Sequence, residues 1–147
     1  MFRNILVPVD GSAPSRRAIR RAVQLAREHK AKITGFYVGP PWQLPAYTEY
    51  VPAAIVTPRE HAAAVKKTAG KILGAVKKAA QAARVRCTCA YVMGAFPHEE
   101  IVKAARRHRC DLIVIASHGR RGVSRLLLGS ETSKVLAHAK IPVLVVR

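Results

Sequence analysis

The sequence predicts an α/β domain built on an open, doubly wound parallel sheet, and three observations carry that prediction. Short apolar runs of strand length alternate along the chain with segments of helical periodicity. Two of the runs, at 4–9 and 111–116, have the pattern of strands buried on both faces. The chain has 147 residues, 50% of them apolar, which fits a single domain over 1–147 with a sizeable core. Right-handed crossovers then restrict the topology to a doubly wound sheet.

The first half of the chain supplies two strands and one helix. The strand at 4–9 ends at Asp10, and Ser12 is the predicted N-cap of a helix over 13–29. Apolar side chains recur in that helix at intervals of three and four residues, with arginines mostly on its other faces. The next strand is predicted at 32–38. Four prolines make 39–56 a crossover loop.

The second half begins with a capping box. Thr57 and Glu60 flank Pro58 and predict a helix that runs to about Arg84. A strand at 85–93 projects the thiols of Cys87 and Cys89 to one face, where we interpret them as small apolar fillers. A helix starting at 97, the strand at 111–116, a loop at 117–129, a helix at 130–139 capped by its first residue, and a strand at 142–146 complete the alternation.

Composition excludes several classes of protein. The chain carries 26 Lys+Arg against 8 Asp+Glu, a net charge of +18, spread over every predicted helix. The apolar content argues against intrinsic disorder, and no apolar stretch is long enough to predict a transmembrane helix. The first residues lack the apolar core of a signal peptide. Three cysteines without a C-x-x-C pair argue against a disulfide framework, so we expect a reduced, cytoplasmic protein.

A candidate binding crevice follows from the predicted fold. In doubly wound sheets ligands bind at the carboxyl ends of the strands where the winding reverses. If the first and fourth strands are neighbours, Asp10 and the segment 116–119 bound that crevice. Gly129-Ser130, separated from Gly119 by nine residues, opens a helix whose N–H groups can hold an anion, with hydroxyl donors from Ser130 and Thr132. The alternative is an ordinary strand-to-helix loop that needs its glycines for turns and Ser130 as a cap.

The spacing of these residues resembles the nucleotide-binding signature of the universal stress protein family. That signature is Gly, two residues, Gly, nine residues, then Gly followed by Ser or Thr. The resemblance extends to Ile5–Ser12, to 120–130 and to Ile141–Val146, and so covers nearly the whole chain.

The resemblance implies a fold, a ligand and a partner. The fold is the adenine-nucleotide alpha-hydrolase-like one, with five parallel strands in the order 3-2-1-4-5. The ligand is ATP or another adenine nucleotide between the first and fourth strands, with Mg2+ held by its phosphates. The partner is a second copy, joined through Pro142–Val146. The implied function is a small nucleotide-dependent module of stress response or signalling.

The resemblance also implies the site residues. Asp10 would meet the ribose or adenine, the backbone of Val38 would bind the adenine edge, and Gly119 with 129–132 would surround the phosphates. The full implied set is Pro8, Val9, Asp10, Val38, Ala116, Ser117, His118, Gly119, Arg120, Gly129, Ser130, Glu131 and Thr132.

One position departs from the signature, because Ala116 stands where the first glycine is expected. Its methyl group is either tolerated or, if that glycine adopts a positive φ, crowds the ribose. The alternative function is therefore a dimeric protein-interaction module of the same fold that binds no nucleotide.

Other chemistries lack the residues they need. There is no Walker A or Rossmann glycine motif, no zinc-ligand spacing and no assembled Ser-His-Asp or Cys-His set. No catalytic residue is predicted, and enzymatic activity stays open, with at most weak ATP hydrolysis. The basic runs lack interleaved aromatic residues, so neither a nucleic acid nor a membrane is expected as a partner.

Overall fold

The computed structural model describes residues 1–44, 56–119 and 128–147. Strands and helices alternate along them. The elements are β1 (Asn4–Pro8), α1 (Ala13–His29), β2 (Lys32–Gly39), α2 (Pro58–Ala82), β3 (Cys87–Met93), α3 (Pro97–Arg107), β4 (Leu112–Ala116), α4 (Ser130–His138) and β5 (Val143–Val146).

The strands form one parallel sheet in the order β3-β2-β1-β4-β5, which confirms the predicted fold class and strand order. The central strand β1 pairs with β2 on one side and β4 on the other, so that Leu6 lies opposite both Thr34 and Ile113. The winding reverses between β1 and β4. The adjacency of β1 and β4, on which the predicted crevice depends, is therefore confirmed.

Two apolar layers cover the faces of the sheet. Ile5 and Val7 pack with residues of α1 and α2, whereas Leu6 packs on the opposite face with residues of α3 and α4. Every residue of β1 and β4 is buried, as their unbroken apolar pattern predicts. Burying each large aliphatic side chain contributes about 1.5–3 kcal/mol, so the central strands anchor the domain.

The predicted helix starts of α1 and α2 are confirmed. The Ser15 N–H donates to Ser12 Oγ at 3.2 Å. At α2, the Glu60 N–H donates to Thr57 Oγ1 at 3.2 Å, and the Thr57 N–H donates to Glu60 Oε2 at 2.8 Å. Hydrogen bonds from the backbone and side chain of Thr57 lower the pKa of Glu60. The capping box therefore sets where α2 begins after the crossover.

Three helices end at a basic residue in the left-handed region instead of the usual glycine. Lys30, Arg84 and Arg109 have φ of 55°, 56° and 53°. In each case the N–H of the next residue reaches back to a carbonyl five residues earlier, at 2.8–2.9 Å. The left-handed turn is why α2 ends at Ala82, two residues before the position that the sequence suggests, and why α3 ends at Arg107.

A buried polar network closes the amino-terminal end of the sheet. Asn4 is 2% exposed, donates from Nδ2 to the His108 carbonyl at 2.8 Å and accepts from Thr34 Oγ1 at 3.0 Å. Asp111 accepts the N–H groups of Arg3 and Asn4 at 2.8 and 3.0 Å. These bonds fix β1 beside β4 at the end opposite the crevice. Of the helices within the described ranges, none has the length and apolar character to span a membrane.

Candidate functional site

The carboxyl ends of β1 and β4 meet at Asp10 and Gly119. The backbone of Gly119 lies so close to the Asp10 carboxylate that a Cβ on residue 119 would overlap Asp10 Oδ2. Two residues 109 positions apart in the chain, both predicted to bound the crevice, are thus in direct contact. Only glycine fits at 119 while this carboxylate keeps its place.

The β1–α1 turn holds the Asp10 side chain in position. The Ser12 N–H donates to Asp10 Oδ1 at 2.9 Å, and the Asp10 N–H donates to the buried Ser15 hydroxyl at 3.2 Å. Gly11, between them, has a φ of 82°, which a side chain would strain. The Val9 N–H donates to the Phe36 carbonyl at 2.9 Å and ties this turn to β2. Asp10 is therefore a preorganised acceptor at the edge of the sheet.

Ala116 occupies ordinary strand backbone. It is the last residue of β4, pairs with Val146, and is not among the described non-glycine residues of positive φ. The methyl group is 7% exposed and packs in the core layer of α1 and α2. Ala116 therefore does not have the positive φ at which its methyl group was expected to crowd the ribose.

The segment after β4 is held on both sides. The Ser117 N–H donates to the Val146 carbonyl at 2.8 Å, and its hydroxyl shares a hydrogen bond of 2.9 Å with His118 Nδ1. Its carbonyl accepts the Gly129 N–H at 2.7 Å. The start of α4 is thereby fixed beside the end of β4.

The residue that caps α4 is Gly129, and the prediction that Ser130 is the cap is wrong. Gly129 has φ −60° and ψ 146°, outside the helical region, whereas Ser130 is already the first helical residue. A Cβ on Gly129 would lie 3.1 Å from both His118 Cα and the Ser117 oxygen. No side chain of the described residues caps this helix start. Because first-turn N–H groups have no partner within a helix, they are donors for a ligand or solvent here.

Thr132 uses its hydroxyl inside the protein. Thr132 Oγ1 donates to the Ala116 carbonyl at 2.8 Å, and the residue is 4% exposed. A hydroxyl has a single proton to donate, so this one is not directed at a phosphate. The main-chain N–H of Thr132, in the first turn of α4, is what the residue has to offer a ligand.

The Glu131 side chain is likewise engaged elsewhere. Its Oε2 accepts the His98 N–H at 2.9 Å and lies 3.0 Å from His98 Nδ1, while Lys134 Nζ lies 3.2 Å from Oε1. Burial raises the pKa of Glu131, but the hydrogen bonds from His98 and Lys134 outweigh burial and leave it below its usual value. This carboxylate caps α3, whose own N-cap Phe96 provides no side-chain bond.

The remaining predicted residues lie around this centre. Pro8 ends β1, buried opposite Phe36, and Val38 is half-buried near the end of β2. Arg120 lies outside the described residues.

Sequence reasoning missed a cationic cleft that adjoins the crevice. A cavity of about 530 Å³ between α1 and α2 is lined by Val9 and Gly11 at the end of β1 and by Arg16, Lys67 and Lys71. The signal that could have found it is the i, i+4 spacing of the two lysines at the border of the apolar stripe of α2. Three cations beside the carboxyl end of β1 favour an anionic ligand.

Comparison with known proteins finds similarity to one family along the whole chain. The model of the universal stress protein family matches residues 1–147. Universal stress protein YxiE of Bacillus subtilis is 34% identical over 151 residues, covering 100% of both chains. The structure of UspA from Lactobacillus plantarum is 30% identical, with a TM-score of 0.75 over 99% of this chain and 97% of its own.

A second solved structure of a similar protein contains a bound ligand. This universal stress protein in complex with cAMP is 27% identical, with a TM-score of 0.72 over 99% of this chain and 97% of its own. The match of the family model, the full-length relative and the shared fold agree, and the chain belongs to the universal stress protein family.

Proposed function

We propose that the protein binds an adenine nucleotide between the carboxyl ends of β1 and β4 and acts as a nucleotide-dependent module of stress response or signalling. The observation that carries the proposal is the contact of Gly119 with Asp10 near the start of α4, which no side chain of the described residues caps. A nucleotide needs an acceptor for its ribose and donors for its phosphates. The two lie side by side at this edge of the sheet.

The chemistry of each part fits its role. A carboxylate offers about four acceptor sites, so Asp10 can accept a ribose hydroxyl while it also serves partners within the protein, of which the Ser12 N–H is one. The N–H groups at the start of α4 point along the helix dipole and favour phosphate oxygens. Gly129 keeps that helix start close to Ser117 and His118. The phosphates would therefore be held mainly by backbone, with little dependence on any one side chain.

The identity of the nucleotide is the finer part of the proposal. The related protein in complex with cAMP supports an adenine nucleotide as the ligand class. The cations of the α1–α2 cleft favour several phosphates over one, and hence ATP, whose phosphates would hold Mg2+. We place this activity in the cytoplasm, a reducing compartment suited to cysteines that stay free.

Two measurements test the proposal. Mass analysis of small molecules released by denaturing the purified protein should find an adenine nucleotide. Calorimetry on stripped protein should give micromolar affinity for at least one of ATP, ADP, AMP and cAMP, and no heat from all four would refute binding.

Asp10→Asn should weaken binding by about 10-fold or more, since hydrogen bonds to charged groups contribute about 1.5–3 kcal/mol. Glu28→Gln, an exposed change on α1, should leave affinity unchanged.

The alternative of a module that binds no nucleotide depended on Ala116. Its place in strand β4, without a positive φ, supports binding over this alternative. The alternative predicts that Asp10→Asn changes neither calorimetry nor the released small molecules.

We also propose that the protein forms a homodimer through β5. This strand lies at one end of the sheet, is paired with β4, and exposes 37% of Leu144. An apolar edge strand offers its backbone groups to a second copy. Val145→Lys should halve the mass measured by light scattering, whereas Met93→Lys on the opposite edge strand, β3, should not. A monomeric unmodified protein would refute the dimer.

A further inference from the structure

We propose that Cys87 is a modification site, where a cationic cavity recruits an anionic low-molecular-weight disulfide of the glutathione type and the thiol forms a mixed disulfide with it. The site lies at the amino-terminal end of edge strand β3, away from the nucleotide crevice at the carboxyl ends. It is independent of the proposed nucleotide binding.

The site begins with a pair of thiols. Cys87 and Cys89 project from the same face of β3, with 3.9 Å between their Sγ atoms. Gly35 lies opposite Cys89 on β2, and a Cβ there would come within 3.1 Å of both Cys89 Sγ and Val76 Cγ1. The neighbouring strand thus leaves room for the pair beneath α2.

Of the two thiols, Cys87 has access to an anionic reagent. It lines an open cavity of about 410 Å³ together with Lys77, Arg84 and Arg86, and also Gln81 and Val85. The three cations come from α2, from the turn after it and from the residue before β3. Among the residues that the structure describes, no acidic side chain lines this cavity. Reactive cysteines typically occupy such electropositive, partly exposed surroundings.

Hydrogen bonding within the pair favours ionisation of Cys87. The Cys89 thiol lowers the pKa of Cys87 to about 7, against the effect of burial and with smaller help from the Gly35 backbone and the charge of Lys77. The same interaction and burial raise the pKa of Cys89, so Cys89 stays a thiol in the range where Cys87 ionises. About half of the Cys87 thiols are therefore thiolates near pH 7, the form that attacks disulfides.

The reaction needs no further oxidant, because the disulfide is itself the oxidant. The Cys87 thiolate attacks one sulfur of R–S–S–R, a new S–S bond joins Cys87 to R–S, and the old S–S bond breaks. The second R–S leaves as a thiolate with the electron pair and takes a proton from water. Carboxylates on R would lie among the three cations of the cavity.

The mixed disulfide should persist and not pass on to a Cys87–Cys89 bridge. Two residues along a strand separate Cα atoms by about 6.6 Å, at the long limit of disulfide geometry. The parallel side chains would also have to converge. Cys89 is held as a thiol, which slows its attack further.

Cys110 provides an internal control. It is 7% exposed, and burial raises its pKa to about 11. Near pH 7 its thiolate fraction is therefore well below that of Cys87, and its burial keeps disulfide reagents away from its sulfur.

The first experiment treats the reduced full-length protein with oxidised glutathione and follows intact mass and peptide maps. We expect one glutathione adduct per chain, at Cys87, absent in Cys87→Ser, with a rate that rises to half its maximum near pH 7. A first adduct at Cys89 or Cys110, or an internal disulfide in place of an adduct, would overturn the proposal. Cys89→Ala should move the pH midpoint upward, whereas Cys110→Ala should leave it in place.

The second experiment isolates the cavity charge. Oxidised glutathione should react several-fold faster than neutral hydroxyethyl disulfide at low salt, and the ratio should approach one at about 1 M salt, where charges are screened within about 3 Å. Arg84→Gln combined with Arg86→Gln should reduce the low-salt ratio, whereas Arg106→Gln on α3 should not. Equal rates for the two reagents at low salt would refute recruitment by the cavity.

Discussion

Gly129→Ala tests whether the start of α4 is fixed by close packing. The mutation adds one methyl group at the N-cap, where φ −60° and ψ 146° suit any residue. Backbone strain therefore contributes nothing. The new Cβ would lie 3.1 Å from His118 Cα and from the Ser117 oxygen, closer than carbon atoms normally pack. Both neighbours are main-chain atoms, which cannot rotate away as a side chain can.

The size of the effect follows from two opposing contributions. Relieving the contact stretches the hydrogen bond from the Gly129 N–H to the Ser117 oxygen, now 2.7 Å, and a lost hydrogen bond costs about 0.5–1.5 kcal/mol, or up to about 3 kcal/mol if its buried acceptor stays unsatisfied. Replacing glycine also restricts the unfolded chain and returns about 0.4–1 kcal/mol. We expect the contact to win, with a net loss of about 0.5–2 kcal/mol in the free energy of unfolding.

Denaturant unfolding of the unmodified protein, Gly129→Ala and Gly70→Ala measures this balance. Gly70→Ala is the matched control, because a Cβ at Gly70 in α2 would meet nothing within 4 Å. It should stabilise by up to about 1 kcal/mol through helix propensity. In the nucleotide assay Gly129→Ala should weaken binding by about 5–10-fold, and the control should not. If Gly129→Ala stabilises the protein as Gly70→Ala does, the close approach of α4 is not a constraint and the reasoning fails.

Three further changes have defined outcomes. Asn4→Ala removes the 3.0 Å partner of the buried Thr34 hydroxyl, which keeps its longer contact with Thr88 Oγ1, and the partner of the part-buried His108 carbonyl, so it should cost about 1–2 kcal/mol in chemical denaturation. Arg109→Gly should add about 0.5–1 kcal/mol by relieving a left-handed residue, seen as a rise in Tm, and an unchanged or lower Tm would contradict this. Glu131→Gln should cost about 0.5–1.5 kcal/mol near neutral pH, because Glu131 is partly exposed and its bonds to His98 are partly screened. The folded-state pKa of Glu131 is depressed, so its stabilisation is present above the ordinary value of 4.5 and is lost as pH falls through the folded value; the difference between the two proteins should disappear there.

Local interactions explain why much of the fold was predictable from sequence. The capping box at Thr57 and the N-cap at Ser12 depend on residues three positions apart, so their patterns are complete within one turn. Strand order came from the family resemblance, because adjacency of β1 and β4 joins segments about 107 residues apart. The exact ends of α2 and α3, at Ala82 and Arg107, escaped prediction because the left-handed arginines that follow them, Arg84 and Arg109, carry no sequence signal comparable to glycine.

Sequence reasoning indicated some positions that meet at the candidate site, but not what two of the side chains do there. Gly119 and Gly129 lie where the signature implies, yet the hydroxyl of Thr132 bonds to Ala116 and the carboxylate of Glu131 bonds to His98. Both roles depend on how α4 packs against β4 and α3, which no local pattern encodes. The same spacing that identifies a phosphate site also fits residues that hold the helix in place.

The net charge of +18 is less evenly placed than the sequence suggests. Helices α1 and α2 cover one face of the sheet and carry eleven of the 26 cations but two of the 8 acids, whereas α3 and α4 nearly balance theirs. The α1–α2 cleft beside the crevice and the cavity at Cys87 are both bordered by cations of α2. At physiological salt a field of this kind acts over about 8 Å, so it concentrates any small anion on this face without choosing among them. Selection must come from the groups at contact distance: the Asp10–Gly119 pair and the start of α4 for a nucleotide, and the Cys87 thiolate for a disulfide.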